Sequence, residues 1–233
     1  VSNYSVTSQS STTASIVKKS LTATATASNK TYNGDATATT TLSFSGLVGS
    51  ETLGQSVSST FNNKNVGTGK TVTVNSITLS DGSNGGVASN YSISSGQTTT
   101  ANITAKALTV SGITASNKTY DGNTVVTLDL TGTSYSGLVS GDDVSISASG
   151  SFDNKNVGTG KTVNISSSYS GSDVGNYSIT DQATTTANIT ASVSGITVRG
   201  ITASNKTYDG NNSATLDTSN VTYSGLVEGD DVT

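Results

Sequence analysis

One eight-residue segment recurs at a fixed spacing along this chain. ASNKTYDG occupies residues 115–122 and returns unchanged at 203–210, and ASNKTYNG occupies 27–34, so the copies begin 88 residues apart, at 27, 115 and 203. Self-similarity at a fixed period is the sequence signature of a repeat architecture. The segment therefore predicts an array of one β-rich module, and it predicts that these 233 residues are a window of a longer array.

The composition favours folded modules that are not held by disulfides. Hydrophobic residues are 31% and charged residues 11% of the chain, and Pro, Cys and His are absent. Low hydrophobicity indicates disorder mainly when it is joined to high net charge, and mucin-like stalks carry Pro. Without Cys each module must fold on its core alone, and without His the chain lacks the commonest metal ligand and general base.

Charge and hydropathy argue against two classes of partner. The net charge is −4 and the 11 basic residues are spread along the chain, which does not fit binding to nucleic acid or to an anionic membrane. No apolar run approaches the roughly 20 residues that span a bilayer, and the opening VSNYSVTSQS lacks the features of a signal peptide. We expect no nucleic-acid partner and no membrane span here, and an export signal, if there is one, outside these residues.

The spacing of several shorter motifs divides the chain into segments. NYSV at 3–6 matches NYSI at 90–93 and 176–179, so the chain is expected to open on the tail of a preceding repeat. The junction ANITAKALTV at 101–110 has no Gly/Ser or Pro linker, which favours a stiff connection. The predicted segments are a tail at 1–19, complete repeats at 20–105 and 106–191, and a partial repeat at 192–233.

Short alternating runs predict β-strands within each repeat. Val144, Ile146 and Ala148 alternate with Ser, which is the pattern of a half-buried strand. Several such strands separated by turn residues indicate an all-β fold. We expect tandem β-sandwich modules, for example immunoglobulin-like ones, in an extended array, with β-grasp-like modules as the alternative.

Two glycine-containing segments predict turns. Asp121-Gly122 lies between β-prone runs, and such a pair is the strongest short-range signal of a β-hairpin. Gly158 and Gly160 in GTGKT predict a second turn. GTGKT at 67–71 and 158–162 also resembles the end of a phosphate-binding loop, but that loop needs an earlier Gly where this chain has Lys64 and Lys155.

The recurring KTYDG, NKNVGTGKTV, NYSIT and TTANITAKALTV resemble the YDG domain of large bacterial surface adhesins, a relative of the MBG-type repeats. The resemblance covers the whole chain. It implies an extracellular, tandemly repeated part of an adhesin or biofilm-type protein at the bacterial cell surface, without enzymatic activity and without catalytic or cofactor-binding residues. The first copy departs from the motif at Asn33, where the other copies have Asp.

The acidic residues of the repeated GDDV motif are the candidates for a weak calcium site. Adjacent carboxylates together with loop carbonyls are ligands that Ca²⁺ accepts, and the competing interpretation is that they are solvated turn residues. The corresponding stretch of the first copy, 49–53, has the single acid Glu51. The candidates are Asp142, Asp143, Asp230 and Asp231.

Recurring Tyr and Lys residues have a structural and a functional interpretation. Tyrosines at the KTY and NYS motifs are expected to be core anchors, with sugar stacking as the alternative. Lysines beside Asn could form an intramolecular isopeptide bond, but adjacent side chains diverge along a strand. The tyrosines are Tyr32, Tyr91, Tyr120, Tyr177 and Tyr208, and the lysines are Lys30, Lys64, Lys118, Lys155 and Lys206.

These patterns lead to three functional expectations and exclude an enzyme. A hydrolase without His or Cys would need paired carboxylates or a Ser–Lys pair, and the acids lie in predicted turns. We expect a non-catalytic stalk or spacer whose partners are the neighbouring repeats. The alternatives are a glycan- or surface-binding repeat that acts by avidity, and a self-associating matrix fibre.

Overall fold

The computed structural model describes residues 3–192 and 195–232. Residues 1, 2, 193, 194 and 233, which belong to the first and last predicted segments, lie outside the described residues. The chain divides into two compact units. Unit 1 comprises Val1–Lys106, Val139–Asp142 and Gly175–Ser178, and unit 2 comprises Ala107–Leu138, Asp143–Val174 and Ile179–Thr233. The four segments derived from the repeat stay a prediction.

The fold is all-β, as the alternating runs predict. The described residues contain no α-helix, and two 3₁₀ turns lie at Ala88–Asn90 and Val174–Asn176. The first nine strands are β1 (Lys19–Ser20), β2 (Thr22–Ala27), β3 (Lys30–Thr31), β4 (Thr37–Ala38), β5 (Thr40–Ser45), β6 (Leu53–Phe61), β7 (Gly67–Asp81), β8 (Tyr91–Ser92) and β9 (Thr98–Thr104).

The next ten strands again include two long neighbouring strands, followed by a seven-residue strand at the end of the copy. They are β10 (Lys106–Ser111), β11 (Thr114–Ala115), β12 (Lys118–Thr119), β13 (Val125–Val126), β14 (Leu128–Asp129), β15 (Ser134–Ser136), β16 (Ser145–Phe152), β17 (Gly158–Ser170), β18 (Tyr177–Thr180) and β19 (Thr184–Thr190). The last four are β20 (Thr197–Arg199), β21 (Thr202–Ala203), β22 (Leu216–Asp217) and β23 (Thr222–Ser224).

Unit 1 contains a five-stranded sheet that packs against a two-stranded one. The order of the larger sheet is β3-β9-β7-β6-β4, in which β3 and β9 are parallel and the other neighbours antiparallel. The smaller sheet pairs β2 with β5. Ala25 and Leu42 of the smaller sheet pack with Val74 of the larger one in a buried cluster. Two sheets that share a core between their inner faces form a sandwich.

Unit 2 repeats this arrangement with its own core. Its five-stranded sheet has the order β12-β19-β17-β16-β13, with β12 and β19 parallel. Phe152, Val163 and Ile189 of that sheet lie in one buried cluster. Ala115 and Leu128, from the two-stranded sheet β11-β14, pack against the cluster. The Ser and Thr that alternate with these apolar residues face outward, which is why the hydrophobic content of the chain is low.

The predicted hairpin at Asp121-Gly122 is wrong. Gly122 does have a positive φ of +80°, as the motif predicts. However, β12 pairs with β19 and β13 pairs with β16, at opposite edges of the five-stranded sheet. The segment therefore carries the chain from one edge of the sheet to the other. A local turn signal fixes the backbone conformation but not the strand partners.

The predicted turn at Gly158 and Gly160 is also wrong. Both residues lie in β17, where the register with β19 shifts between Gly158 and Lys161. Gly160 has a φ of +61°, and its N–H donates to Asn188 Oδ1 at 2.7 Å. An irregularity with a glycine in the left-handed region is typical of a β-bulge. GTGKT thus begins a long strand, and its glycines bend that strand without reversing it.

Residues 195–232 form two small antiparallel pairs, β20 with β23 and β21 with β22. Many of their apolar side chains, including Val198 and Leu216, are exposed to solvent. These residues include no counterpart of β16, β17 or β19, whose side chains form the core of the preceding copy. Tyr208 is 92% exposed, so the prediction of a core anchor is wrong for this tyrosine. The same prediction is confirmed for Tyr32, Tyr91 and Tyr177, which are buried.

Candidate functional site

A buried aspartate joins two tyrosines and a lysine in unit 1. Asp142 Oδ2 accepts hydrogen bonds from the Tyr32 hydroxyl at 2.8 Å and from the Tyr177 hydroxyl at 2.5 Å. Asp142 Oδ1 accepts from Lys64 Nζ at 3.1 Å. The side chain of Asp142 is only 4% exposed. We call Tyr32, Lys64, Asp142 and Tyr177 the Asp142 cluster.

Four separate segments position this cluster. Tyr32 follows β3, Lys64 lies between β6 and β7, and Tyr177 begins β18. Asp142 lies in a turn in which its N–H donates to Val139 O at 3.1 Å. The rings of Tyr32 and Tyr177 meet edge to face, with centroids 5.6 Å apart and planes at 76°, an arrangement that favours aromatic pairs.

Two further contacts fix the same part of unit 1. The Val66 N–H donates to Asn176 Oδ1 at 3.0 Å. Gly34 has a φ of +89° and lies so close to Val139 that an added Cβ would be 2.7 Å from Val139 Cγ1. A side chain larger than hydrogen at residue 34 is therefore disfavoured by the neighbouring valine as well as by the backbone.

Unit 2 contains a second cluster with the same chemistry. The Tyr120 hydroxyl lies 2.6 Å from Asp230 Oδ1 and 2.7 Å from Asp230 Oδ2, and Lys155 Nζ lies 2.6 Å from Oδ1. A Cβ on Gly122 would be 2.7 Å from Val227 Cγ1, which matches the approach of Val139 to Gly34. We call Tyr120, Lys155 and Asp230 the Asp230 cluster. Its aspartate side chain is 20% exposed.

The local charges shift the pKa values of these groups in consistent directions. Burial, and then the hydrogen bond to Asp142, raises the pKa of Tyr177 to about 12. The same two causes raise the pKa of Tyr32 above its ordinary value of 10.0. Lys155 and then Tyr120 hold the pKa of Asp230 below its ordinary 3.8. The Asp230 carboxylate therefore stays ionised, and the phenols of Tyr32 and Tyr177 stay protonated, at neutral pH.

A third contact between a tyrosine hydroxyl and a loop carboxylate lies in the first copy of the repeat. The Tyr91 hydroxyl accepts from the Val48 N–H at 3.1 Å and donates to Glu51 Oε2. Tyr177 makes the matching pair of contacts, because its hydroxyl accepts from the Val139 N–H at 2.9 Å and donates to Asp142. The tyrosines of the NYS motifs at 90–93 and 176–179 therefore each bind the backbone and the acidic side chain of one loop.

The four calcium candidates lie in three different environments. The carboxylates of Asp142 and Asp230 accept hydrogen bonds from tyrosine hydroxyls and from a lysine ammonium group, as described above. Asp143 Oδ2 accepts from the Ser172 N–H at 3.0 Å, and Asp231 is exposed. Within residues 3–192 and 195–232, no group of three or more His, Cys, Asp or Glu is placed to hold a metal ion. Calcium binding at these residues stays a prediction.

In the two complete copies, the lysine of the KTY motif organises the segment that connects the two edges of the five-stranded sheet. Lys30 Nζ donates to Asp35 O, Asp35 Oδ1 and Thr37 O at 2.8–3.1 Å. Lys118 Nζ likewise donates to Asn123 O, Asn123 Oδ1 and Val125 O. The ammonium thus satisfies carbonyls that strand pairing leaves without a donor. These are ionic and hydrogen-bonded contacts, with a structural role in the crossing segment.

Sequence reasoning noted each of these residue types but did not bring them together. The tyrosine of KTY, the lysine of NKN and the first aspartate of GDDV occupy matching positions in the two clusters, and their joint recurrence was the available signal. The partners are distant, because Tyr32 and Asp142 are separated by 110 residues, as are Tyr120 and Asp230. That separation is longer than the spacing of 88 residues, so the tyrosine and the aspartate belong to successive copies.

The fold and the repeated clusters define a tandem β-repeat protein. The family model of the YDG domain matches two stretches, residues 17–101 and 104–187. The chain belongs to the YDG domain family. No curated protein and no solved structure gave a match. No helix among the described residues is long and apolar enough to cross a membrane.

Proposed function

We propose that this chain is a non-catalytic stalk region of a long bacterial cell-surface adhesin or biofilm protein. The observation that carries the proposal is the recurrence of the Asp142 and Asp230 clusters at the same offset of 110 residues. Each cluster connects successive copies through polar side chains that are themselves part of the repeat. An array with such contacts can be lengthened by adding copies, and each added copy brings both halves of the next contact.

The chemistry of the clusters supports a mechanical role. The Asp142 side chain is almost fully buried and accepts three hydrogen bonds. Removing one partner of such a network leaves a buried charge without compensation, which is strongly unfavourable. A contact of this kind resists opening more than a solvated linker would. The stalk is proposed to be extracellular, and its partners are proposed to be the neighbouring repeats.

The shape of the whole chain in solution tests this proposal. A compact protein of 233 residues has a radius of gyration of about 17 Å. We expect small-angle scattering to give a clearly larger value, unchanged by a calcium chelator. A value near that of a compact protein would contradict the stalk. Saturable binding of the same chain to a glycan array would instead support the alternative of a repeat that binds by avidity.

A further inference from the structure

The first copy carries an Asn-Gly pair where the other two copies carry Asp-Gly. The pairs are at residues 33–34, 121–122 and 209–210. Asparagine is among the chemically labile residues of proteins. It is most labile before glycine, because no side chain shields the nitrogen of the next residue. The departure of the first copy from the YDG motif therefore changes the covalent chemistry of this position.

The side chain of Asn33 folds back toward the peptide group that follows it. Asn33 Oδ1 lies 3.4 Å from the Asp35 backbone nitrogen, and Asn33 Nδ2 donates to Asp35 Oδ2 at 2.8 Å. Such contacts to the second residue along the chain are typical of an Asx turn, and they keep the carboxamide carbon close to the intervening Gly34 nitrogen. Among the described residues none accepts from the Gly34 N–H, and Asn33 is exposed to solvent.

We propose that Asn33 is a site of spontaneous deamidation. The Gly34 nitrogen forms a bond to Asn33 Cγ, the bond from Cγ to Nδ2 breaks, and Nδ2 leaves as ammonia with the proton that the Gly34 nitrogen gives up. Water then opens the resulting succinimide ring. Cleavage of the new bond from nitrogen to Cγ gives aspartate, and cleavage of the original peptide bond gives isoaspartate. The reaction needs only water, and either product adds one negative charge.

The aspartates of the other two copies are protected from the same ring closure. A carboxyl group closes the ring readily only when it is protonated, because it then loses water instead of hydroxide. Lys118 Nζ lies 2.6 Å from Asp121 Oδ1 and holds the pKa of Asp121 below its ordinary 3.8. Lys206 has the same effect on the pKa of Asp209. At neutral pH the reaction is therefore expected in the first copy alone of the three.

A second Asn-Gly pair, Asn84-Gly85, has a different geometry. Asn84 has a φ of +58°, and its Nδ2 donates to Ser50 O at 3.0 Å, across 34 residues of the chain. Its carboxamide is thus held by a distant carbonyl and not by its own turn. We expect Asn84 to react more slowly than Asn33, which makes it a reference within the same molecule.

The aspartate product has a precedent in the second copy. Asp121 occupies the matching position and pairs with Lys118, so an aspartate at residue 33 can pair with Lys30 in the same way. The second copy has Asn123 where the first has Asp35, so this product would place two carboxylates beside one lysine. Its effect is confined to an exposed turn and should be small.

The isoaspartate product lengthens the backbone between Tyr32 and Gly34 by one carbon. Tyr32 is 1% exposed, and its hydroxyl donates to Asp142. On the other side, a Cβ on Gly34 would be 2.7 Å from Val139 Cγ1. Neither neighbour has room for the added carbon, so isoaspartate should weaken the Asp142 cluster and with it the contact between copies. This goes beyond the stalk proposal and does not depend on it.

Peptide mapping of the incubated whole chain tests the reaction. Cleavage after lysine places Asn33 in residues 31–64 and Asn84 in residues 71–106. Mass spectrometry should show replacement of NH₂ by OH at residue 33, faster at higher pH, because the glycine nitrogen must lose its proton. Asn33→Gln is the control, since glutamine would have to close a less favourable six-membered ring. An unchanged residue 33, or conversion at Asn84 as fast as at Asn33, would overturn the proposal.

Hydrogen exchange tests the consequence for the contact between copies. The Tyr32 N–H donates to Thr104 O at 2.8 Å, and its exchange reports local opening. Peptides with isoaspartate and with asparagine differ in retention time, so both forms are measured in one sample. The isoaspartate form should exchange at Tyr32 at least about tenfold faster, whereas Asn33→Asp, which adds only the charge, should stay close to the wild type. Equal exchange of all three forms would contradict the predicted weakening.

Discussion

The Tyr32 hydroxyl donates to Asp142 Oδ2 at 2.8 Å, although 110 residues separate the two in the chain. Tyr120 and Asp230 are related in the same way, again across 110 residues. Because the recurring segments begin 88 residues apart, each bond connects one copy to the next, within a single compact unit. The contact is thus a property of the array and does not exist in an isolated copy.

Replacing Asp142 with Asn tests how much the contact between Tyr32 and Asp142 contributes to the stability of unit 1. The amide cannot accept from two hydroxyls and an ammonium as the carboxylate does, and its NH₂ group would face Lys64 Nζ and the hydroxyls. Leaving buried polar groups unsatisfied costs about 1–3 kcal/mol. We expect Asp142→Asn to lower the free energy of unfolding of unit 1 by that amount, measured by hydrogen exchange at the Tyr32 and Val66 amides.

Asp231→Asn is the matched control for this change. It makes the same substitution in the second acid of a GDDV motif, where the side chain is exposed. Surface substitutions of this kind usually change stability by less than about 0.5 kcal/mol. Equal effects of the two variants would show that the Asp142 cluster does not hold unit 1 together.

The sequence predicted the character of the strands much better than their partners. The alternation of Val144, Ile146 and Ala148 identified β16, and repeated tyrosines identified Tyr32 and Tyr177 as buried anchors. Both inferences depend on the environment that one residue needs, and hydrophobic periodicity reports it directly. The all-β class follows from many such local patterns.

Neither the pairing of the strands nor the two clusters could be predicted from local sequence patterns. Asp121-Gly122 has the backbone conformation of a hairpin turn, yet Lys118 lies opposite Ile189 and Val125 opposite Ser151. Which strands pair depends on distant residues and on the core that they share, so a local signal is insufficient. The Asp142 cluster is a stronger case, because its members come from four segments and only the fold brings them together.

Alkaline pH is expected to weaken unit 1 through Tyr177. Its pKa is raised to about 12 by burial and by the bond to Asp142, so the folded state favours the protonated phenol. The stabilisation is complete below the ordinary pKa of 10.0 and is lost as the pH rises from there toward about 12. Thermal unfolding over this range should show a falling midpoint, together with delayed formation of tyrosinate.

Tyr177→Phe separates this titration from general alkaline unfolding. The variant lacks the hydroxyl that titrates against Asp142, while Tyr32, Lys64 and Asp142 remain in place. Tyr177→Phe should be less stable at neutral pH, and its thermal unfolding midpoint should fall less steeply above pH 10. Tyr32 also has a raised pKa, so part of the fall should remain. Identical slopes for variant and wild type would contradict the assignment.

Removing the lysine of the crossing segment should loosen that segment. Lys30→Met keeps the aliphatic chain but removes the donor to Asp35 O, Asp35 Oδ1 and Thr37 O. Lys30 also holds the pKa of Asp35 well below its usual range, so this pKa should return toward 3.8 in the variant. We expect the free energy of unfolding to fall by about 1–3 kcal/mol. NMR titration of Asp35 and chemical unfolding measure the two effects, and Lys19→Met, at an exposed lysine, should change neither.

Calcium is expected to leave the stability of the chain unchanged. The oxygens of Asp142 and Asp230 accept from tyrosine and lysine, and a cation could bind there only by displacing those donors. We therefore predict equal unfolding midpoints with millimolar-range Ca²⁺, the affinity range of weak extracellular sites, and with a chelator. A midpoint raised by calcium, and no longer raised in Asp143→Asn, would show instead that the GDDV motif binds the ion.

Alanine at the three equivalent glycines tests the packing of the loop valines. Gly34, Gly122 and Gly210 all have a positive φ, between +79° and +89°, so each substitution should cost about 1–2 kcal/mol of backbone strain. At Gly34 and Gly122 the new Cβ would also lie 2.7 Å from Val139 or Val227, whereas nothing lies within 4 Å at Gly210. Urea unfolding should therefore show larger losses of stability for the first two variants than for Gly210→Ala.

Adding Val139→Ala to Gly34→Ala should relieve the clash, because the truncated side chain no longer reaches residue 34. Equal losses of stability at all three glycines would mean that the valine side chains move aside without lowering the free energy of unfolding.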